Sequence, residues 1–227
     1  MVRGIFHSIT QGNFFYLLFS LLLLLLLVPF FEGTVVGNIV VDIAFSAVLL
    51  SAIYAVSERK QQFMIAIVLA IPMLVTRWGN HFVNNNSLFL TSEGFTILFL
   101  VFTAVLILSH VLRDEEVTAN KIYGALGVYL LIGLTWALLF VMIEGIWPGS
   151  FLMGQASGIP LVKRLPQFIY YSFVTLTTVG YGDITPLTPP VQTLAYLEAV
   201  IGQIYLAVLI ARLVGLHIAH SMKKDSR

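Results

Sequence analysis

The sequence predicts an all-α membrane protein, built from six membrane-crossing helices and one shorter helix that dips in without crossing. Three observations carry this. Of 227 residues, 59% are hydrophobic and 10% charged, where a soluble domain carries about 25% charge. Mean hydropathy is +0.95. The apolar residues also fall in long unbroken runs, whereas a soluble helix shows a one-sided stripe. A formal net charge of +1 leaves no basic field for nucleic acid. With no cysteine, a disulfide framework and a thiolate metal site are both excluded.

A membrane helix needs roughly 20 apolar residues to cross about 30 Å of hydrocarbon. Such runs fall near 13–31, 35–56, 62–77, 94–112, 122–147 and 191–216. The first is too long for a signal core, lacks a small-x-small cleavage site and is followed by further spans, so it is expected to stay as an anchor. The third is the weakest, being short and carrying Pro72, which membrane helices tolerate where neighbours satisfy the freed carbonyl. Orientation follows from lysine and arginine in the loops. Arg3, Arg59, Lys60, Arg113, Lys121, Arg212, Lys223, Lys224 and Arg227 collect on one side, against Arg77, Lys163 and Arg164 on the other. The positive-inside rule then puts both termini in the cytoplasm and the connection 148–190 outside.

That connection is not a plain loop. A polar, glycine-containing stretch leads to an apolar piece opening at Pro166, then to "TLTTVGYGDITP" over 175–186. Pro166 suits a first helical turn, where its missing N–H costs nothing. The run 167–176 is too short to span and long enough for a re-entrant helix. Irregular backbone at membrane depth survives only where it is buried in protein or lines water. Carbonyls of a glycine-alternating strand, aimed at an axis, can replace an ion's hydration shell. Gly180 and Gly182 supply the backbone freedom this needs.

At Thr177-Thr178-Val179-Gly180-Tyr181-Gly182-Asp183 the chain resembles the potassium channel family, whose filter signature it reproduces without a substitution. The surroundings agree, with an outer helix, a short helix bearing Tyr170 and Tyr171, the filter, and an inner helix. Gly202 stands nineteen positions after Asp183, where simple bacterial members place a gating hinge. The resemblance covers about 122–220; the first four helices match only in number and arrangement. It implies a homotetramer in membrane lipid, with K⁺ as the permeant ion held by the carbonyls of Thr178, Val179, Gly180 and Tyr181 and by the Thr178 hydroxyl. Thr177 and Gly182 complete the filter, Tyr181 is expected to pack against the pore-helix aromatics, and Asp183 to gather cations at the outer mouth. Glu144, at the outer end of the fifth helix, is expected to bond backbone near the filter. Where some bacterial members carry a glutamate that contacts the filter aspartate, this chain has Val174. That contact is expected to be missing and inactivation of that kind weak.

The chain divides at 121 into a voltage-sensor-like domain (1–121) and a pore domain (122–227). A voltage sensor needs several arginines or lysines on its fourth helix, each contributing about 2.3 kcal/mol per 100 mV. The fourth run contains none, Arg113 stands at its end, and Asp42 is the single acid expected inside the second and third helices. Little intrinsic voltage dependence is therefore expected. Glu198 lies one turn before Gly202 in an apolar helix, and intramembrane acids are functional candidates. Two readings stand for it: a carboxylate paired to backbone or a neighbouring subunit, and a protonation-sensitive element coupling the inner helix to the filter. Gly202 likewise reads as a gate or as a close-packing site. Arg212 is expected to snorkel. His81, His217 and His220 read as solvated or capping groups, and the Asn85 sequon matters only on a eukaryotic secretory route.

The expected function is passive, potassium-selective conduction, without enzymatic activity. A rival is the pore subunit of a K⁺ uptake system that needs a partner protein, although such subunits resemble concatenated pores with degenerate filters. An intramembrane enzyme lacks its motifs here. Few residues follow the inner helix, so ligand regulation is expected to act on the membrane part or through a separate regulatory subunit. The short loops lean towards a prokaryotic inner membrane.

Overall fold

The computed structural model describes residues 14–31, 35–56, 60–80, 86–113, 118–153 and 160–225. The elements run α1 (Phe14–Phe31), α2 (Val35–Val56), α3 (Lys60–Gly79), α4 (Asn86–Val111), α5 (Ala119–Ile146), β1 (Phe151–Leu152), a 3-10 turn (Leu161–Lys163), α6 (Leu165–Leu176), β2 (Thr185–Pro186) and α7 (Pro189–Asp225). Five stretches are long and apolar enough to cross a membrane: Phe14–Phe31, Lys60–Gly79, Ser87–Val111, Ala119–Ile146 and Pro189–Gly215. Within α2, Ile39–Ala55 is a shorter apolar helix.

α1 lies against α2 and α5, α3 against α2 and α4, and α4 against α5. Of the first four helices, α1 and α4 therefore pack directly on α5 of their own chain, with α2 and α3 packed on those two. On α1, Leu17, Leu21, Leu24 and Val28 are buried, while Phe15, Phe19, Leu22 and Leu26 are exposed. Both faces are apolar because lipid covers one and protein the other. Association then rests on van der Waals fit rather than on water release. Small residues set that fit. A Cβ added at Gly124 would come within 2.9 Å of the Phe14 ring, and one at Gly133 within 2.7 Å of the Phe173 ring.

α6 sits between α5 and α7 and, at 12 residues with Pro166 in its first turn, is too short to cross. Two flanking segments close over it as an antiparallel ribbon, with Phe151 opposite Pro186 and Leu152 opposite Thr185. Behind α6 stands an aromatic cluster. Phe151 meets Phe140, Phe168 and Tyr171 at centroid distances of 5.5, 5.1 and 5.4 Å, all edge to face, the geometry the ring quadrupoles favour.

Three sequence expectations are corrected. α4 begins at Asn86 rather than 94, and the added turns accommodate polar residues: Thr91 donates to the Ser87 carbonyl at 2.8 Å and Glu93 faces Arg77 of α3. α7 continues to Asp225 rather than ending near 216. Arg77, counted with the loops, is buried in the last turn of α3. The readings for Arg3, Arg59, His81, Asn85 and the acids of the 113–121 connector lie outside the described residues, as do the side chains of His217 and His220.

Candidate functional site

The 177–183 run leaves the C-terminal end of α6 and is tied to it at once. Thr177 N–H donates to the Phe173 carbonyl at 3.1 Å, and Val179 and Gly180 N–H both donate to the Val174 carbonyl, at 2.9 and 3.3 Å. Helix-end carbonyls that have lost their own partners are thereby satisfied. Backbone sign alternates along the run: φ is +61° at Thr178, +55° at Gly180 and +79° at Gly182. Thr178 is the one non-glycine residue with positive φ among the described residues, and for a β-branched side chain that conformation is strained. Sequence reasoning assigned the special angles to Gly180 and Gly182 alone, since nothing in the identity of a threonine announces positive φ.

The Asp183 end of the run is braced from α6. The Tyr170 and Tyr181 rings stack at 6.4 Å with an interplanar angle of 4°. Tyr170 O–H donates to Asp183 Oδ2 at 2.7 Å, and this bond pushes the Tyr170 phenol up to about 12. So a contact to Asp183 exists here although Val174 cannot make one; a tyrosine one turn earlier supplies it. Tyr171 takes a different place. One position is about 100° around a helix, and Tyr171 turns into the aromatic cluster, 5.2 Å from Phe140, rather than towards Tyr181.

Glu144 organises the approach. Its carboxylate accepts Gly149 N–H at 3.1 Å and Ser150 N–H at 3.0 Å, and Arg164, the residue capping α6, lies 3.3 Å away. The Ser150 carbonyl accepts Leu187 N–H at 2.8 Å, just past the exit from the run. One buried acid thus joins the end of α5, the start of α6 and the ribbon over both.

The last turn of α6 is held by α7. At Gly202 an added Cβ would collide with the Leu176 backbone carbonyl, and α7 runs through this point without interruption. Gly202 is therefore where α7 seats against the last turn of α6. One turn earlier Glu198 is fully buried, with Oε1 2.5 Å from Ser172 Oγ. Ser172 Oγ also lies 2.7 Å from the Gly133 carbonyl oxygen. Ser172 escaped sequence analysis because a lone serine in an apolar helix carries no pattern. Further along, Arg212 Nη2 donates to the Leu112 carbonyl at 2.6 Å, a cation at the negative end of α4.

In the first four helices, Arg77 Nε lies 2.5 Å from Asp42 Oδ1 on α2, and Arg77 Nη1 3.8 Å from Glu93 on α4. The guanidinium also stands over the Phe45 ring, 3.8 Å from its centroid. Glu93 carries no such signal in the sequence, because the fourth apolar run begins just beyond it.

Residues 128–217 match the family model described as Ion channel. The match starts inside α5 and ends inside α7, so it takes in α6, the 177–183 run, Glu144, Glu198 and Gly202. With the apolar helices it supports an integral membrane protein and ion channel activity. No curated protein and no solved structure matches the chain significantly.

Proposed function

We propose that this chain is one subunit of a homotetrameric, potassium-selective channel with six spans per subunit, both termini cytoplasmic and little intrinsic voltage dependence. The observation that carries the reading is the 177–183 run itself, a TTVGYGD sequence whose backbone alternates in sign at Thr178, Gly180 and Gly182. Alternation of that kind is what lets successive carbonyls of Thr178, Val179, Gly180 and Tyr181 face one way and stand in for water around K⁺. K⁺ is the substrate, moving down its gradient while neighbouring ions repel one another through the filter. Four-fold assembly is supported by what a single chain leaves uncovered. Val179 is 53% and Tyr181 71% exposed, and Tyr196, Ile204 and Val208 of α7 are exposed as well. One chain supplies one filter strand, and a ring around an ion needs several.

Weak voltage dependence rests on α4, which carries no arginine or lysine. The buried cation of this region is on α3, paired with Asp42. A prokaryotic inner membrane is the proposed location.

The test is reconstitution into liposomes under a K⁺ gradient, with flux measured for K⁺, Rb⁺ and Na⁺. K⁺ and Rb⁺ should pass and Na⁺ should not; equal Na⁺ and K⁺ flux overturns the selectivity. Native mass spectrometry of the detergent-solubilised protein should give four copies.

A further inference from the structure

The Ser172 hydroxyl has one hydrogen and two close oxygen neighbours, the Gly133 carbonyl at 2.7 Å and Glu198 Oε1 at 2.5 Å. A carbonyl oxygen can only accept, so the Gly133 contact uses the serine hydrogen. The hydrogen between Ser172 and Glu198 must then come from the carboxyl group. We infer that Glu198 is held as a neutral carboxylic acid, and that its proton is the fastener joining α7 to α6, and through Ser172 to α5.

The surroundings fit a neutral acid and not an anion. Ser172 and Glu198 are both completely buried. The titratable groups around Glu198 are Tyr129 from α5 and Tyr171 from α6, with Tyr205 of α7 stacked on Tyr129 at 5.9 Å. Tyr205 spends its own hydrogen on the Ala125 carbonyl, at 2.6 Å. No cation approaches Glu198 among the described residues, and Glu198 Oε2 has no hydrogen-bond partner there. A carboxylate so placed would be an uncompensated buried charge, which is strongly destabilising. As an acid it needs only an acceptor, and Ser172 is one.

Position gives this proton its role. Glu198 stands one turn before Gly202, where α7 seats against the carbonyl of Leu176, and Leu176 is the last residue of α6 before the 177–183 run. Loss of the proton would leave one serine hydrogen for two acceptors, the Gly133 carbonyl and a bare carboxylate, so that one of the two bonds tying α6 to α5 and α7 is lost at the base of the filter. Glu198 is thus a positioning residue for conduction, one that only its protonated form can serve. The functional half of this inference rests on the channel reading given above; the state of the carboxyl group does not.

Infrared spectroscopy of the purified protein and of Glu198→Gln tests the chemical half. A buried carboxylic-acid C=O band should be present at neutral pH and absent from Glu198→Gln, whose amide keeps a donor towards Ser172. Liposome K⁺ flux tests the rest. As pH rises the band should vanish and wild-type flux fall severalfold with it, while Glu198→Gln flux holds steady. A missing band, a band unchanged by Glu198→Gln, or a band that persists to the alkaline limit of the vesicles overturns the inference. So does wild-type flux that ignores loss of the band, or Glu198→Gln flux that falls with pH as the wild type does. Were K⁺ selectivity to fail, flux would show it while the infrared result stood unaffected.

Discussion

Arg77 Nε lies 2.5 Å from Asp42 Oδ1, a buried ion pair between α3 and α2 in a part of the chain that carries no cation on its fourth helix. With Glu93 3.8 Å from the same guanidinium, removal of Arg77 leaves two carboxylates without their cation. Arg77→Met should therefore cost about 3–5 kcal/mol, read as a large fall in the thermal midpoint in detergent. Replacing all three together by apolar residues of similar volume should be close to neutral. A triple variant as unstable as Arg77→Met would show that the cluster contributes more than mutual compensation.

Tyr170→Phe separates two interactions at the Asp183 end of the run. The ring can still stack on Tyr181, while the bond to Asp183 is lost. Because that site is exposed, the effect should be modest: roughly two- to fivefold in the balance between conducting and non-conducting filter states, measured as dwell times in single-channel records. The sign with pH also follows. A phenol raised from its ordinary value of 10 to about 12 donates fully below pH 10, and its contribution disappears as pH rises through about 12. Wild-type dwell times should accordingly show no step from this tyrosine between pH 6 and 10.

Glu144→Gln keeps the shape of the side chain but removes the charge facing Arg164 and turns an amide donor towards one of the two N–H groups of Gly149 and Ser150. Each charge-assisted bond is worth about 1.5–3 kcal/mol. A loss of at least one such bond, with a lower melting temperature of the assembled protein, is expected. Arg164→Met should reproduce only part of it, since the two backbone bonds survive.

Gly202→Ala would press a methyl group into the last carbonyl of α6. Overpacking of this kind typically costs about 1–3 kcal/mol, and K⁺ flux should fall with it. Gly215→Ala is the control, because its added Cβ meets nothing within 4 Å. Equal tolerance of both substitutions would mean that α7 can withdraw from α6 freely.

Much of this was legible in the chain because the membrane restricts the choices. Apolar runs located the helices, and the short helix before the 177–183 run was legible from Pro166 and from an apolar piece too short to span. What escaped was set by partners distant in sequence. Glu93 became meaningful only against Arg77 on another helix, and Ser172 only between Gly133 and Glu198. The strained Thr178 is set by the backbone bonds that tie it to the end of α6, Thr178 N–H to the Thr175 carbonyl and Val179 N–H to the Val174 carbonyl, not by any propensity of threonine. Tyr170 and Tyr171, adjacent in the chain, part company because a helix turns their side chains to different neighbours.

Two of the contacts along α7 sit far apart. One is Gly202 against Leu176, the other the bond from Arg212 to the Leu112 carbonyl at the end of α4. A rod pinned at two heights tilts only when one pin yields. Any swing of α7 therefore has to strip a peptide oxygen of its guanidinium or deform the final turn of α6, and the stiffer pin becomes the fulcrum. An α4 without arginine or lysine would then still decide, by how firmly its last turn grips Arg212, where that fulcrum lies.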